Sequence, residues 1–177
     1  LAVPFFILTG VLMNTGGIAQ RLINLAKCLV GRIPGGLAHT NIVGNTMFGA
    51  LSGSAVAASI AVGGVMLPEE EAAGYDKKFA AAANVASAPT GLIIPPSGIL
   101  IIYAVLSGSS VVGMIMSGYI PGILWCLACM VVAFIVAKKN KYPTSERVPV
   151  KVLFRYFVEA IPSILLIVII IGGIRLG

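Results

Sequence analysis

Charge is scarce in this sequence: only 10% of its 177 residues are Asp, Glu, Lys or Arg. Soluble domains run at about 25% charged and roughly 45–50% apolar, whereas here 58% of the chain is hydrophobic. So little charge cannot cover a folded chain of this size in water, which leaves the bilayer as its solvent. Inside hydrocarbon every backbone polar group needs an internal partner, so a spanning chain is helical or a closed barrel. Period-two alternation of apolar and polar residues is also missing, and with it the barrel signature. What remains is long continuous apolar runs, and the fold class they imply is an all-α polytopic membrane protein.

Histidine and cysteine are scarce as well. There is one histidine, His39, and three cysteines, Cys28, Cys126 and Cys129, all within apolar stretches. The Cys126–Cys129 spacing suits a metal or redox pair, but no second pair or neighbouring histidine accompanies it, so packing is the better reading. The net charge of +6 reports topology and contact with anionic lipid rather than nucleic acid. Both ends read as cut, because the outermost apolar runs are shorter than a spanning helix and no initiator Met is present.

Residues 1–17 read as the end of a transmembrane span, closed by Asn14-Thr15-Gly16-Gly17. Residues 18–36 form an amphipathic helix: Ile18, Leu22, Leu25, Ala26, Leu29 and Ile33 on one stripe, Gln20, Asn24 and Lys27 on another. With Arg21, Lys27 and Arg32, it suits a cytoplasmic interface. Residues 37–68 are apolar but interrupted at Gly49-Ala50-Leu51-Ser52-Gly53-Ser54-Ala55. Residues 69–110 hold the acidic knot Glu69-Glu70-Glu71, read as a solvated cytoplasmic turn, and an apolar helix broken at Ala88–Gly91 and at Pro95–Gly98. Residues 111–137 make a full transmembrane helix with a bend expected at Pro121-Gly122. Residues 138–159 are a basic cytoplasmic loop followed by an interfacial helix with Arg155 and Glu159, and 160–177 start another transmembrane helix.

The positive-inside bias decides how residues 37–68 cross. Basic residues concentrate in Arg21–Arg32 and Lys138–Lys151, and such stretches stay cytoplasmic. A single crossing by 37–68 would put them on opposite faces. A segment that enters, turns at Ser52-Gly53-Ser54 and leaves by the same face puts both inside. Each arm would then be roughly 22 Å long at 1.5 Å per residue, past the midplane but short of a core about 30 Å thick. The pattern predicts a re-entrant hairpin.

Non-helical backbone at membrane depth persists only where it is buried in protein or lines a watery cavity. The hairpin tip and the break at Pro89–Gly98 are two such places, and paired interruptions are how many transporters build a site. Ser52, Ser54, Thr90 and Ser97 supply hydroxyls, while Gly53, Gly91 and Gly98 admit close backbones. Pro95 and Pro96 free carbonyls upstream. Such oxygens suit Na⁺, with Ser52, Ser54 and Thr90 the candidate ligands, and half-helix N-termini suit an anion. Asn45, placed about one turn below the tip, is a candidate to hold the tip or reach a ligand.

Pro4-Phe5-Phe6-Ile7-Leu8, Phe48-Gly49-Ala50-Leu51-Ser52-Gly53-Ser54-Ala55, Gly74-Tyr75 and Ile93-Ile94-Pro95-Pro96-Ser97 occur in an order that resembles the large permease subunit of tripartite ATP-independent periplasmic (TRAP) transporters, the DctM/SiaM type. The resemblance covers nearly the whole chain. It implies an elevator-type secondary transporter of the bacterial inner membrane, this chain being the first of two inverted repeats, with the second absent. It also implies Na⁺ as coupling ion, no other cofactor, a small membrane subunit (separate or fused), a periplasmic substrate-binding protein and a carboxylate substrate such as a C4-dicarboxylate or sialic acid. The ion- and substrate-facing segments map onto Ser52, Gly53, Ser54 and Ala55 and onto Thr90–Ser97.

Three rivals are open to the sequence. A channel would use similar polar breaks along an open pore. An intramembrane serine hydrolase would pair Ser52 or Ser54 with His39, but on one helix Ser52 and His39 stand roughly 20 Å apart, beyond the reach a base needs. A purely structural scaffold would leave Ser54 and Pro95 dispensable.

Overall fold

The computed structural model describes residues 16–95, 97–144, 152, 154–162, 165 and 169. The expected span end before residue 16, Pro96, and most of the loop and final helix after residue 144 lie outside these residues. All regular structure among the described residues is helical.

Helix α1 (Ile18–Val30) turns most of its apolar stripe inward: Leu22, Leu25 and Ala26 are buried, while Leu29 of the same stripe is exposed, as are Gln20 and Arg21. That stripe packs on the next helix rather than being left for lipid. Helices α2 (Gly36–Ser52) and α3 (Ala55–Ala72) fold back on each other at Gly53-Ser54. Gly53 closes α2 in the left-handed region at φ 62°, a conformation that costs a β-carbon-bearing residue energy and glycine almost none. Ser54 then opens α3, its side chain accepting from the backbone N–H of Ala57 at 3.2 Å, the usual serine N-cap. The antiparallel pairing is visible where Gly44 faces Val62 and where Asn41 reaches Glu70.

The acidic knot is not a separate turn. α3 runs through Pro68 to Ala72, so Glu69, Glu70 and Glu71 occupy its last turns. Pro68 removes one backbone donor, that of the bond to Gly64, an exposed residue.

The third apolar stretch is a broken helix: α4 (Lys77–Ser87), α5 (Thr90–Ile93) and α6 (Gly98–Ser107), bent by 43° between Ile93 and Gly98. Asp76 caps α4 by accepting from Phe79 N–H at 2.9 Å. α7 (Val111–Ser117) and α8 (Tyr119–Asn140) follow. Together they make a 30-residue apolar stretch, about 45 Å at 1.5 Å per residue, enough to cross a bilayer. The interruption falls at Gly118, not at Pro121-Gly122 as the sequence suggested. Pro121 sits in the first turn of α8, where its missing N–H has no helical partner to lose, so the break precedes it.

Two contacts bring distant ends to one level. Lys27 Nζ of α1 meets Glu69 Oε2 at the foot of α3 at 2.9 Å. Tyr142, just past α8, stacks on Tyr75 at 4.3 Å and on Phe79 at 5.6 Å, beside the start of α4.

Candidate functional site

The hairpin and the broken helix meet backbone to backbone. Gly49, near the end of α2, lies so close to Gly91 of α5 that a β-carbon on either would collide with the other's Cα. Only glycine on both sides permits that approach. One turn earlier, the hydroxyls of Thr46 and Thr90 bond at 2.8 Å. Thr46 Oγ1 also lies 2.9 Å from the Ile42 carbonyl and Thr90 Oγ1 2.5 Å from the Ser87 carbonyl, so one hydroxyl donates to its carbonyl and the other donates across the contact. The hairpin arm, one to two turns below its tip, is thereby fastened to the interrupted helix.

Below this contact runs a buried polar ladder. Asn45 Nδ2 lies 3.0 Å from Asn41 Oδ1, 2.7 Å from Asn84 Oδ1, 3.2 Å from the Asn84 carbonyl and 3.0 Å from Ser87 Oγ. Asn84 continues across the hairpin by donating to the carbonyl and hydroxyl of Ser59 at 3.0 and 3.1 Å. Asn41 reaches down to Glu70 at 3.2 Å. Asn45, Asn41, Asn84 and Ser87 are all buried. In hydrocarbon such amides have no water to fall back on, so their mutual bonds fix how α2, α3 and α4 sit together.

The expected site residues divide accordingly. Ser52, Gly53, Ser54 and Ala55 form the tip, with Ser52 Oγ 3.3 Å from the Ser54 carbonyl and 3.4 Å from its N–H. Thr90 and Gly91 lie against α2, and Pro95 and Ser97 are buried at the second break, where Ser97 caps α6 by accepting from Leu100 N–H at 3.4 Å. Pro96 is outside the described residues. Thr90 is not joined to the tip: its hydroxyl is engaged by Thr46 and Ser87, and Thr46 lies about 9 Å of helical rise short of Ser52. Asn45 stands about two turns below Gly53 rather than one, and its amide ties the hairpin arm to α4 instead of holding the tip.

Glu70 departs from the solvated reading of its acidic triplet. Its side chain is fully buried, with Asn41 as its side-chain partner. At the foot of the hairpin, burial pushes its carboxyl up to about 7; the Asn41 hydrogen bond pulls the other way and the Glu69 charge adds to the rise. Burial likewise raises the phenol of neighbouring Tyr75 to about 12. Glu69 is the member of the triplet that pairs with α1, and Glu71 pairs with Lys77.

His39 is buried, and neither ring nitrogen has a partner among the described residues. It shares α2 with Ser52, which keeps the two roughly 20 Å apart and removes the hydrolase reading for that pair. Cys126 and Cys129 are free thiols. Cys126 accepts from Thr46 at 3.5 Å, and Cys129 lies 3.7 Å from the Ala86 carbonyl. Sequence reading missed Thr46, Asn41, Asn84 and Ser87. Their signal was the spacing: Asn41 and Asn45 four apart, Asn84 and Ser87 three apart, each pair on one face of an apolar helix.

Residues 1–177 match the family model described as the tripartite ATP-independent periplasmic transporter, DctM component. The chain is 57% identical to a Salmonella typhimurium protein named "Uncharacterized protein YgiK", over 98% of this chain and 40% of that protein. It is 43% identical over its whole length to the sialic acid TRAP transporter large permease protein SiaM of Vibrio cholerae, covering 42% of it. It is 40% identical, again over its whole length, to the C4-dicarboxylate TRAP transporter large permease protein DctM of Pseudomonas aeruginosa, covering 42% of that chain. The chain thus spans about two fifths of the length of these relatives.

Proposed function

Because the chain belongs to the DctM family of tripartite ATP-independent periplasmic transporters, we propose that it is the first repeat of a large permease subunit that imports an organic acid across the bacterial inner membrane. The permease works with a small membrane subunit and a periplasmic substrate-binding protein, and an inward Na⁺ gradient drives uptake. The observation that carries this reading is the glycine-to-glycine contact between hairpin and broken helix at Gly49 and Gly91. It sets the hairpin, one turn below its tip, against the interrupted helix in an apolar chain, and paired interruptions are how secondary transporters place ions and substrate near the midplane.

The hairpin is re-entrant in this proposal. The Lys27–Glu69 bridge and the Tyr75–Tyr142 stack support it, since they hold both feet of the hairpin and the end of α8 at one level. The coupling ion takes oxygens at the tip, from Ser52, Ser54 and the carbonyls freed there. Thr90, expected from sequence as a third ligand, instead holds the arm against the break, because its partner Thr46 lies about 9 Å of helical rise short of Ser52. Gly91, Pro95, Pro96 and Ser97 face the substrate path, and the hairpin and broken helix move together as part of an elevator. The substrate is a carboxylate: the names of two relatives give sialic acid and C4-dicarboxylate. A second repeat of the full-length permease completes the site.

The test is uptake of labelled sialic acid and C4-dicarboxylates by proteoliposomes holding the full-length permease and its small subunit. Uptake is expected to need both the Na⁺ gradient and the binding protein, and to be lost in Ser54→Ala while the protein stays folded. Uptake indifferent to both requirements, in an active preparation, overturns the coupled reading in favour of a channel or an uncoupled carrier.

A further inference from the structure

Helices α4 and α8 run antiparallel with a cleft between them. At one end Trp125 Nε1 donates to the Ala86 carbonyl at 2.9 Å; at the other Tyr142 stacks on Phe79. The cleft has a volume of about 360 Å³, and its walls are apolar: Ala83 and Ala86 form one side, Trp125, Val132 and Val136 the other, and Phe79 closes the foot. Its length along α8, from Trp125 to Val136, is about 16 Å of helical rise.

Charge is confined to the Phe79 end. The stripe Trp125, Val132, Val136 continues with Lys139, three residues on and one turn further along the same face. Lys138 and Lys139 lie in the last turn of α8, Lys141 closes it, and Lys78 lies in the first turn of α4; all four are exposed. None forms an ion pair with a described residue. The nearby acids are otherwise engaged, Asp76 in capping α4 and Glu71 with Lys77.

We propose that the α4–α8 cleft is a binding site for an anionic phospholipid of the bilayer, one acyl chain lying from Phe79 to Trp125 and the phosphate against Lys139, Lys138, Lys141 and Lys78. The polarity of the cleft matches that of the lipid: oil along its length, cations only where it meets the membrane surface. An acyl chain makes no hydrogen-bond demand on walls that offer almost none. A neutral lipid would fill the cleft without using the lysines, and a protein helix would need no cations at one end. Basic pockets between transmembrane helices at the cytoplasmic surface hold anionic headgroups for the same reason. The bound lipid wedges α8 against α4, the helix that carries Asn84 and Ser87 of the polar ladder.

The experiment uses Trp125 as reporter, in a full-length protein whose other tryptophans are replaced by Phe, held in vesicles with phosphatidylglycerol or phosphatidylcholine brominated on the acyl chain. Bromine quenches a tryptophan it touches. Half-maximal quenching is expected at an about fivefold lower mole fraction of the phosphatidylglycerol, the preference one lysine at an anionic surface provides. The difference should vanish when Lys78, Lys138, Lys139 and Lys141 are all changed to Gln. Equal quenching by the two lipids means unselective annular lipid and overturns the proposal. So does absence of quenching, which means that the rest of the chain or a subunit covers the cleft, and so does a preference that survives the Lys→Gln changes. If the single-tryptophan protein fails to fold, native mass spectrometry of the unaltered full-length protein decides. Retained phosphatidylglycerol that the Lys→Gln variant loses supports the site, and adducts equal in the two proteins overturn it.

Discussion

Helices α2 and α8 are both apolar, yet they place their side chains in opposite ways. α2 buries fourteen of its 17 residues, among them His39, Thr40, Asn41, Asn45 and Ser52. α8 buries three of its 22, all Gly or Ala, and turns Ile123, Leu124, Leu127, Val131 and Ile135 outward. In water this would be an inverted arrangement. In a bilayer it is economical, because lipid tails are as apolar as leucine and burying leucine gains little, whereas an unpartnered amide is expensive. Polar contacts therefore organise the interior around α2, and the outer face of α8 needs only to be oily.

The comparison breaks most sharply at the backbone contact. Gly91→Leu drives a side chain into Gly49, and we expect about 3 kcal/mol or more of destabilisation, at the upper end of overpacking, with uptake abolished. Gly64→Ala, which meets nothing within 4 Å, should change stability by less than about 0.5 kcal/mol. Thermal unfolding of both full-length variants in detergent checks the pair.

Exchanging the two chemistries comes next. Ile135→Asp puts charge on the oily face of α8 and should cost about 2.5–3.5 kcal/mol in insertion, read as the inserted fraction. Asn45→Leu puts oil at the centre of the ladder and takes one hydrogen-bond partner from each of Asn41, Asn84 and Ser87. Its expected cost is about 1–2 kcal/mol, read as a lower melting temperature.

Glu70 makes the comparison depend on pH. Its folded carboxyl titrates at about 7 against an ordinary 4.5, so between those values the folded state holds more protons than the unfolded state. Stability therefore falls as pH rises through that window and levels off above it. A tenfold change in proton affinity is worth ~1.4 kcal/mol, so the decline is on the order of 2–3 kcal/mol. Melting temperatures at pH 5 and pH 8 should show it in the native protein, and Glu70→Gln should remove it. The smallest effect belongs to Lys27→Ala: in its bridge to Glu69 the two side chains are 34% and 40% exposed, and loss of such a pair should cost at most about 1 kcal/mol by the same melts.

Much of the hairpin was legible in the sequence, because a cluster of small and hydroxyl residues in an apolar run has few other meanings. Gly53 and Ser54 are a helix stop and a helix start written side by side. The breaks before and after Thr90–Ile93 were legible through Pro89, Pro95 and Pro96. The ladder was not read, since Asn41 and Asn84 look incidental in their own helices and acquire meaning only when tertiary packing faces them to Asn45. Glu70 was misread for the same reason: a Glu-Glu-Glu run signals solvent, and only the fold determines which of the three turns inward. Pro121 located the break in the fourth stretch only approximately, because proline marks the first turn after a break, not the break itself.

The central claim is that the hairpin enters and leaves by one face. Arg32 and Lys77 flank it and are both exposed, so impermeant-maleimide labelling of Arg32→Cys and Lys77→Cys, each in a cysteine-free full-length protein, tests it most directly. Both should react in inside-out vesicles and neither in right-side-out vesicles. Labelling of Lys77→Cys from the opposite side to Arg32→Cys would mean that residues 36–72 cross the membrane, and would contradict the account.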